Sequence, residues 1–401
     1  MFKLKGRRAM SNSSSSEIES IRAGRYIQQD SGYKAFIPAA LPPSPEIDLS
    51  DKLKRKLSDA EKALGRLDAS IQTLPNPDLF VFMYVRKEAV LSSQIEGTQS
   101  SLHDVLAAEA QILDPKRPRD VAEVINYIDA MNYGINRLTE LPVSIRLIRE
   151  IHARLLAGVK GSSLTPGELR RSQNWIGPAG STLAEASFVP PPPQDIGQAL
   201  SDLERFLHAE DDLPILMRIG LAHAQFETIH PFLDGNGRVG RLLITFLLCE
   251  QGLLKKPVLY LSHYFKYNRQ TYYDHLQAIR QKGDWESWLF FFLDGLTRVS
   301  VEAEETAGKI TELREIHRLK IMENFGRVVG NGLRVFDFLF QHPLVSVEQV
   351  IAVTHTSFPA ANQLVKKFVE CEILSEITGN KRHRRYQYTA YLSLFDGIKL
   401  S

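Results

Sequence analysis

Residues 227–248, ETIHPFLDGNGRVGRLLITFLL, gather His230, Asp234, Gly235, Asn236, Gly237, Arg238 and Arg241 into one turn between two apolar helical patterns. A helix N-terminus exposes unpaired N–H groups and carries partial positive charge. Glycines there let those N–H groups converge on an anion. Gly235-Asn236-Gly237 stands where the second helix should begin, just before Val239, Leu242, Leu243 and Phe246, so the expectation is a phosphate cradle. Arg238 and Arg241 lie three apart and can both project from the first helical turn, with guanidinium groups suited to phosphate. Asp234 can hold a magnesium ion shared with those phosphates. His230 is the group in the turn whose ordinary pKa suits a general base near neutral pH.

Each piece alone has an ordinary explanation. D-G-N-G is a common turn, arginines at a helix start are usually solvated, and a histidine beside a proline is often a structural hydrogen-bonder. Other chemistries fit the pattern less well. No G-x-x-x-x-G-K-[ST] is present, and the alternate carboxylates of an EF-hand loop are missing. A zinc site built on His223 and His230 has no standard ligand spacing. A second polar residue stands out in LSSQIEGTQ, where Glu96 falls in the last turn of a helical pattern just before Gly97. A carboxylate at that end opposes the helix dipole by a few tenths of a kcal/mol up to about 1. Either it is exposed and tolerates that cost, or a cation elsewhere meets it.

The run His230-Pro231-Phe232-Leu233-Asp234-Gly235-Asn236-Gly237-Arg238-Val239-Gly240-Arg241 resembles the Fic family signature, H-P-F-x-[DE]-G-N-G-R-x-x-R, at every fixed position. The likeness extends over about residues 35–295. The resemblance implies transfer of AMP from ATP to a Ser, Thr or Tyr hydroxyl of a target protein, or of the protein itself. It implies His230 as the base, Asp234 as the Mg²⁺ ligand, the Gly235–Gly237 amides on the α- and β-phosphates, and Arg238 and Arg241 on the outer phosphates. Ser92-x-x-x-Glu96-Gly97 resembles the autoinhibitory motif [ST]-x-x-x-E-[GN] of such proteins, here N-terminal to the core. It implies a Glu96–Arg241 pair in the γ-phosphate's place. By the same analogy Tyr272 and Tyr273 flank the adenine, unless they simply pack a helix face. Trp175-Ile176 and Phe188-Val189 read as strands of a hairpin at about 174–191, similar to the Fic flap, beside whose edge an extended target segment could dock.

The elements that must position these groups read as mainly α. A helix through DLFVFMYVRKEAVLSSQIE has Asn76 as a plausible N-cap and Pro77 at its first position. Ser101-x-x-Asp104 opens the next helix. Helical patterns also cover about 49–67, 119–138, 145–156, 195–208, 214–229, 237–251 and 269–281, then run on from Trp285. The resulting plan is a disordered tail at 1–25, a Fic N-terminal helical region with the inhibitory helix at 26–115, a Fic core at 116–300, a linker helix at 301–326 and a winged helix-turn-helix at 327–401. In the last, Lys381, Arg382, His383, Arg384 and Arg385 form a basic wing turn.

Bulk properties bound the partners. The 401 residues suffice for two or three domains. A net charge of +2 points to no whole-protein field for nucleic acid. Cys249 and Cys371 lie far apart and form no metal or disulfide framework, which suits a reducing cytoplasm. No apolar run suggests a membrane span, and the N-terminus lacks a secretory apolar core. Rival functions stay open. One is removal of AMP, or another phosphate-group transfer, on the same fold. Another is a DNA-binding regulator whose core senses nucleotide, with the wing on DNA or on a protein. A homodimer is compatible with the sequence but not required by it.

Overall fold

The computed structural model describes residues 22–395 except 31, 73, 75–76, 113–117 and 179. The expected tail up to residue 21 and the expected cap Asn76 lie outside the described residues.

Apart from five short strands, the described residues form a helical bundle. An antiparallel hairpin is formed by β1 (Gly24–Gln28) and β2 (Lys34–Pro38), so β1 takes in the last two residues of the expected tail. Phe36 explains why: its ring is fully buried and lies 5.9 Å from Phe188 of the flap segment. Its N–H also bonds the Val189 carbonyl at 2.9 Å. The helices follow as α1 (Asp51–Gln72), α2 (Pro77–Ile95), α3 (Leu102–Glu109), α4 (Val121–Arg137), α5 (Ile145–Leu155), α6 (Pro193–Leu207), α7 (Ile215–Ile229), α8 (Asn236–Glu250), α9 (Ser262–Tyr267), α10 (Arg269–Lys282) and α11 (Trp285–Asn324).

Helices α7 and α8 are buried on nearly every side, as expected of sequences apolar all round. They form the axis of the core. Helix α4 crosses α8 so closely that a Cβ on Gly134 would lie 2.3 Å from Phe246 Cζ. Helix α2 ends at Ile95 and turns at Gly97, whose φ of 101° favours glycine. Ser101 caps α3 in the expected capping box with Asp104.

Helix α11 is continuous for 40 residues, so the expected boundary at 300 falls inside one helix. Its first half packs in the core through Trp285, Trp288 and Phe292, and α1 runs along it. Its far end meets the C-terminal unit, which comprises α12 (Val329–Leu339), β3 (Leu344–Ser346), α13 (Val347–Thr354), α14 (Phe358–Glu370), β4 (Ser375–Glu376), β5 (Arg385–Gln387) and α15 (Thr389–Leu392). The three strands pair antiparallel in the order β3-β5-β4. Lys381, Arg382, His383 and Arg384 stand exposed in the β4–β5 turn. The two-strand pattern expected around Trp175 and Phe188 shrinks to one bridge, Ile176 to Phe188. Prolines supply the reason: Pro178 interrupts one arm and Pro190–Pro193 follow the other, removing ladder donors.

Candidate active site

The signature turn is built by its neighbours as much as by itself. His230 terminates α7 in the left-handed region, φ 48° and ψ 59°. That conformation is sparsely populated for a residue with a side chain, and the surroundings impose it. The buried Arg170 donates from Nε to the His230 carbonyl at 2.9 Å and from Nη2 to the Pro191 carbonyl at 2.5 Å, tying the turn to the flap base. Asn174 Nδ2 donates to the Phe232 carbonyl at 2.8 Å. Asn236 closes the loop with its own side chain, accepting from Phe232 N–H at 2.9 Å and donating to the Phe232 carbonyl at 2.8 Å.

His152 supports the other arm. Gly167 N–H donates to its Nδ1 at 2.8 Å, which leaves Nε2–H to donate to the Asp234 carbonyl at 3.0 Å. Its ring stacks on Phe232 at 3.7 Å. Burial pushes the His152 imidazole down to about 4, keeping that neutral tautomer. Gly235 opens α8 at φ 77°. Arg170, His152 and Asn174 lie outside the signature, and spacing alone gave no sign of them.

His230 faces a cavity of about 980 Å³ that Glu96, Gly237, Arg241, Tyr272, Tyr273 and the flap residues Trp175 to Pro178 also line. Burial, reinforced by the charges of Arg280 and Arg170, holds its imidazole down to about 3. The ring is therefore neutral at physiological pH.

The two signature arginines diverge. Arg238 Nη1 pairs with Glu123 of α4 at 3.1 Å, while its Nη2 lies 3.7 Å from Asp234 Oδ1. Arg241 turns toward α2. Its Nε donates to Ser92 Oγ at 2.8 Å, and its Nη2 donates to the Ser92 carbonyl at 3.0 Å and to Glu96 Oε1 at 2.6 Å. The cation opposite Glu96 is thus Arg241. Burial raises the Glu96 carboxyl, but Arg241's charge and hydrogen bond more than reverse this and hold it below the usual range. Gly237 makes room: a Cβ there would sit 2.2 Å from Glu96 Oε1.

Asp234 Oδ1 accepts from Gly235 N–H at 2.7 Å, and Oδ2 faces Gly161. No cluster of three metal-ligating side chains occurs among the described residues. One carboxylate beside the N-terminus of α8 suits magnesium, which keeps waters and takes phosphate oxygens.

Tyr272 and His223 take defined places in the packing. Tyr272 is only 1% exposed, stacks on Phe265 at 4.5 Å and shares its hydroxyl with His223 Nε2 at 2.9 Å. It is a core residue reaching the cavity wall, whereas Tyr273 presents the exposed ring. His223 Nδ1 meets the Gly240 carbonyl at 2.9 Å, so both its nitrogens are occupied and a shared zinc site with His230 has no ligand there. Reasoning from sequence also missed Glu227 and Arg280. Arg280 of α10 donates to the Glu227 carbonyl at 3.1 Å and to Thr228 Oγ1 at 3.2 Å.

Residues 54–136 match the N-terminal region of the Fic/DOC family, and residues 142–248 match the Fic/DOC family domain. Protein adenylyltransferase Fic of Drosophila yakuba is 30% identical over 200 residues, 49% of this chain and 36% of that protein. The protein of the same name from Drosophila grimshawi is 30% identical over 246 residues, 59% of this chain and 45% of that one. The chain therefore spans less than half the length of these relatives. A Fic family protein from Desulfovibrio desulfuricans G20 superposes with a TM-score of 0.57 at 19% identity, covering 85% of this chain and 97% of that one. A Fic domain containing signaling protein from Bacteroides thetaiotaomicron VPI-5482 gives 0.51 at 19% identity, covering 65% and 97%. At these identities the likeness is one of fold.

Proposed function

Over residues 54–136 and 142–248 the chain belongs to the Fic/DOC family, and from that premise we propose that it is a protein adenylyltransferase held in check by Glu96. The observation that carries this reading is the Glu96–Arg241 contact at 2.6 Å, made inside the cavity that His230 faces. While Glu96 holds its Nη2, Arg241 is unavailable to an outer phosphate. The identity of the two relatives named protein adenylyltransferase supports the transferred group as AMP.

In the proposed reaction the target hydroxyl gives its proton to neutral His230. The hydroxyl oxygen then bonds to the α-phosphorus of ATP, the bond from that phosphorus to the bridging oxygen breaks, and pyrophosphate leaves. The Gly235–Gly237 amides hold the α- and β-phosphates. Arg238 and a freed Arg241 offset charge on the outer ones. Magnesium bound at Asp234 would screen the polyphosphate and orient it. Asn236 serves the same site indirectly, by fixing the loop. The target segment approaches along the flap near Trp175 to Phe188.

The test uses ATP labelled at the α-phosphate, with Mg²⁺. Wild type, Glu96→Gly and Glu96→Gly with His230→Ala are scored for label on the protein itself and on a lysate. Strong label with Glu96→Gly, on the order of tenfold above wild type, and none in the double variant is the expected result. No label on any variant that binds ATP would end the adenylylation reading. If function in cells then failed on Arg382→Ala with Arg384→Ala but survived His230→Ala, a nucleotide-sensing regulator would replace it. Release of AMP from a modified target by wild type alone would mark the reverse reaction.

A further inference from the structure

Two glycines one turn apart on α8 each accommodate a carboxylate. A Cβ on Gly237 would lie 2.2 Å from Glu96 Oε1, and a Cβ on Gly240 would lie 2.3 Å from Glu227 Oε1. Arg241 projects from the same turn and is 3% exposed. One of the two carboxylates is paired with it, at 2.6 Å. The other, Glu227, is 6% exposed, and its Oε1 is buried with no hydrogen-bond partner. Glu227 also lines the cavity, so water can reach its proton.

Two carboxylates facing one arginine cannot both ionise freely, because each raises the other. An unpartnered buried carboxylate would be costly beside a filled ion pair, whereas a carboxylic acid there is tolerable. We propose that Glu96 and Glu227 alternate as the counter-ion of Arg241. Glu227 keeps a proton while Glu96 is docked. When Glu96 leaves, Glu227 releases that proton to water in the cavity, and its carboxylate then steadies Arg241 for an outer phosphate. Glu227 is thus a positioning residue that acts through Arg241. This rests on the reading of Arg241 as a phosphate ligand.

The surrounding titratable groups leave Glu227 free to set the pH response. They are Arg241 from α8, Glu96 after α2, Arg280 and Tyr272 from α10, and His230 and His223 of its own helix and its end. Burial raises Glu227 to about 7, with Arg241 opposing and Glu96 adding to the rise. His230 and His223 are held at about 3, and Tyr272 well above its usual value. Glu88 is the other buried carboxyl near 7 that feels Arg241, but its oxygens already accept from Ser262 and Tyr127. The sign follows from proton count. Below about 7 the docked state holds one more proton, so raising the pH toward 7 favours undocking, and the effect levels off above it.

The experiment measures self-labelling from pH 5 to 8 for wild type, Glu227→Gln, Glu88→Gln and Glu96→Gly, each expressed relative to Glu96→Gly at the same pH. Below about pH 7 wild type should rise by up to about tenfold per pH unit, the limit for one proton, and it should level off above 7. Glu227→Gln should be flat and low, and Glu88→Gln should keep the wild-type slope. A flat wild-type ratio, or a Glu227→Gln profile that follows wild type, overturns the proposal. A second readout needs no activity: carbon NMR of carboxyl-labelled glutamate, with Glu227 assigned by its absence in Glu227→Gln. Titration near neutrality in wild type that drops by a unit or more in Glu96→Gly supports the alternation, even if no AMP transfer is found. Ionisation of Glu227 throughout this range in wild type sinks it.

Discussion

At the scale of single residues, the site is defined by protonation states that burial sets. His230 is held neutral by desolvation and by two nearby arginines. Its folded pKa of about 3 means that acid should not protonate the ring until well below pH 5. In the Glu96→Gly background, label incorporation should therefore show no acid limb from this histidine between pH 5 and 8. A limb centred near 6.5 would show that the ring is solvated. His230→Ala should lower the rate by about 10²–10⁴-fold, the usual worth of a positioned base. Ser92 is the quieter partner. It is fully buried and gives Arg241 both a hydroxyl and a carbonyl to donate to. Ser92→Ala leaves Arg241 Nε without its acceptor and should cost about 1–3 kcal/mol in denaturant unfolding. It should also raise basal labelling, because Arg241 is then less firmly held against α2.

At the scale of elements, the decisive feature is how closely α8 lets other chains approach. Gly237 and Gly240 admit carboxylates to its backbone, and Gly134 of α4 lets Phe246 nest against that helix. Gly134→Ala should destabilise by about 1–3 kcal/mol through overpacking, with little change in label incorporation per folded molecule. Unaltered unfolding would mean that α4 slides freely and that the α4–α8 spacing is not fixed by this contact. Helix α2 ends where it does because Gly97 takes a φ of 101° that a side chain would strain. The sequence made this helix end readable. The arrival of α8 beside it could not be read, because residues 96 and 241 are joined by packing of the intervening helices.

At the scale of the whole molecule, buried titratable groups set the pH range of stability. Burial depresses His152 and His317 to about 4 and His223 and His230 to about 3. An unfolded histidine titrates near 6.5, so below that pH the unfolded chain binds more protons and stability falls as pH falls. Glu88 and Glu227, raised to about 7, act the other way: the folded state holds their protons, and that stability is lost as pH rises through 7. The four histidines outnumber the two carboxyls, so the melting temperature should rise steeply from pH 4.5, reach its maximum near pH 7 and level off above it. A melting temperature still rising from pH 7 to 8 would contradict these protonation states.

Local chemistry was legible in the sequence wherever it depends on neighbours along the chain. The signature turn, the end of α2 at Gly97, the Ser101–Asp104 box and the buried pair α7 and α8 all follow from spacing, glycine placement and apolar periodicity. The flap was legible as an interruption but not as a single bridge, since strand length depends on which backbone donors survive among the prolines. What only the tertiary structure decided is pairing across distance. It gave Arg238 to Glu123 and Arg241 to Ser92 and Glu96, although the two arginines stand three apart. It buried Tyr272 behind His223, and set Arg170 and His152 under the turn. The physical reason is that a side chain's charge state and availability are fixed by what packs around it. For a buried arginine or carboxyl those neighbours come from helices a hundred residues away or more.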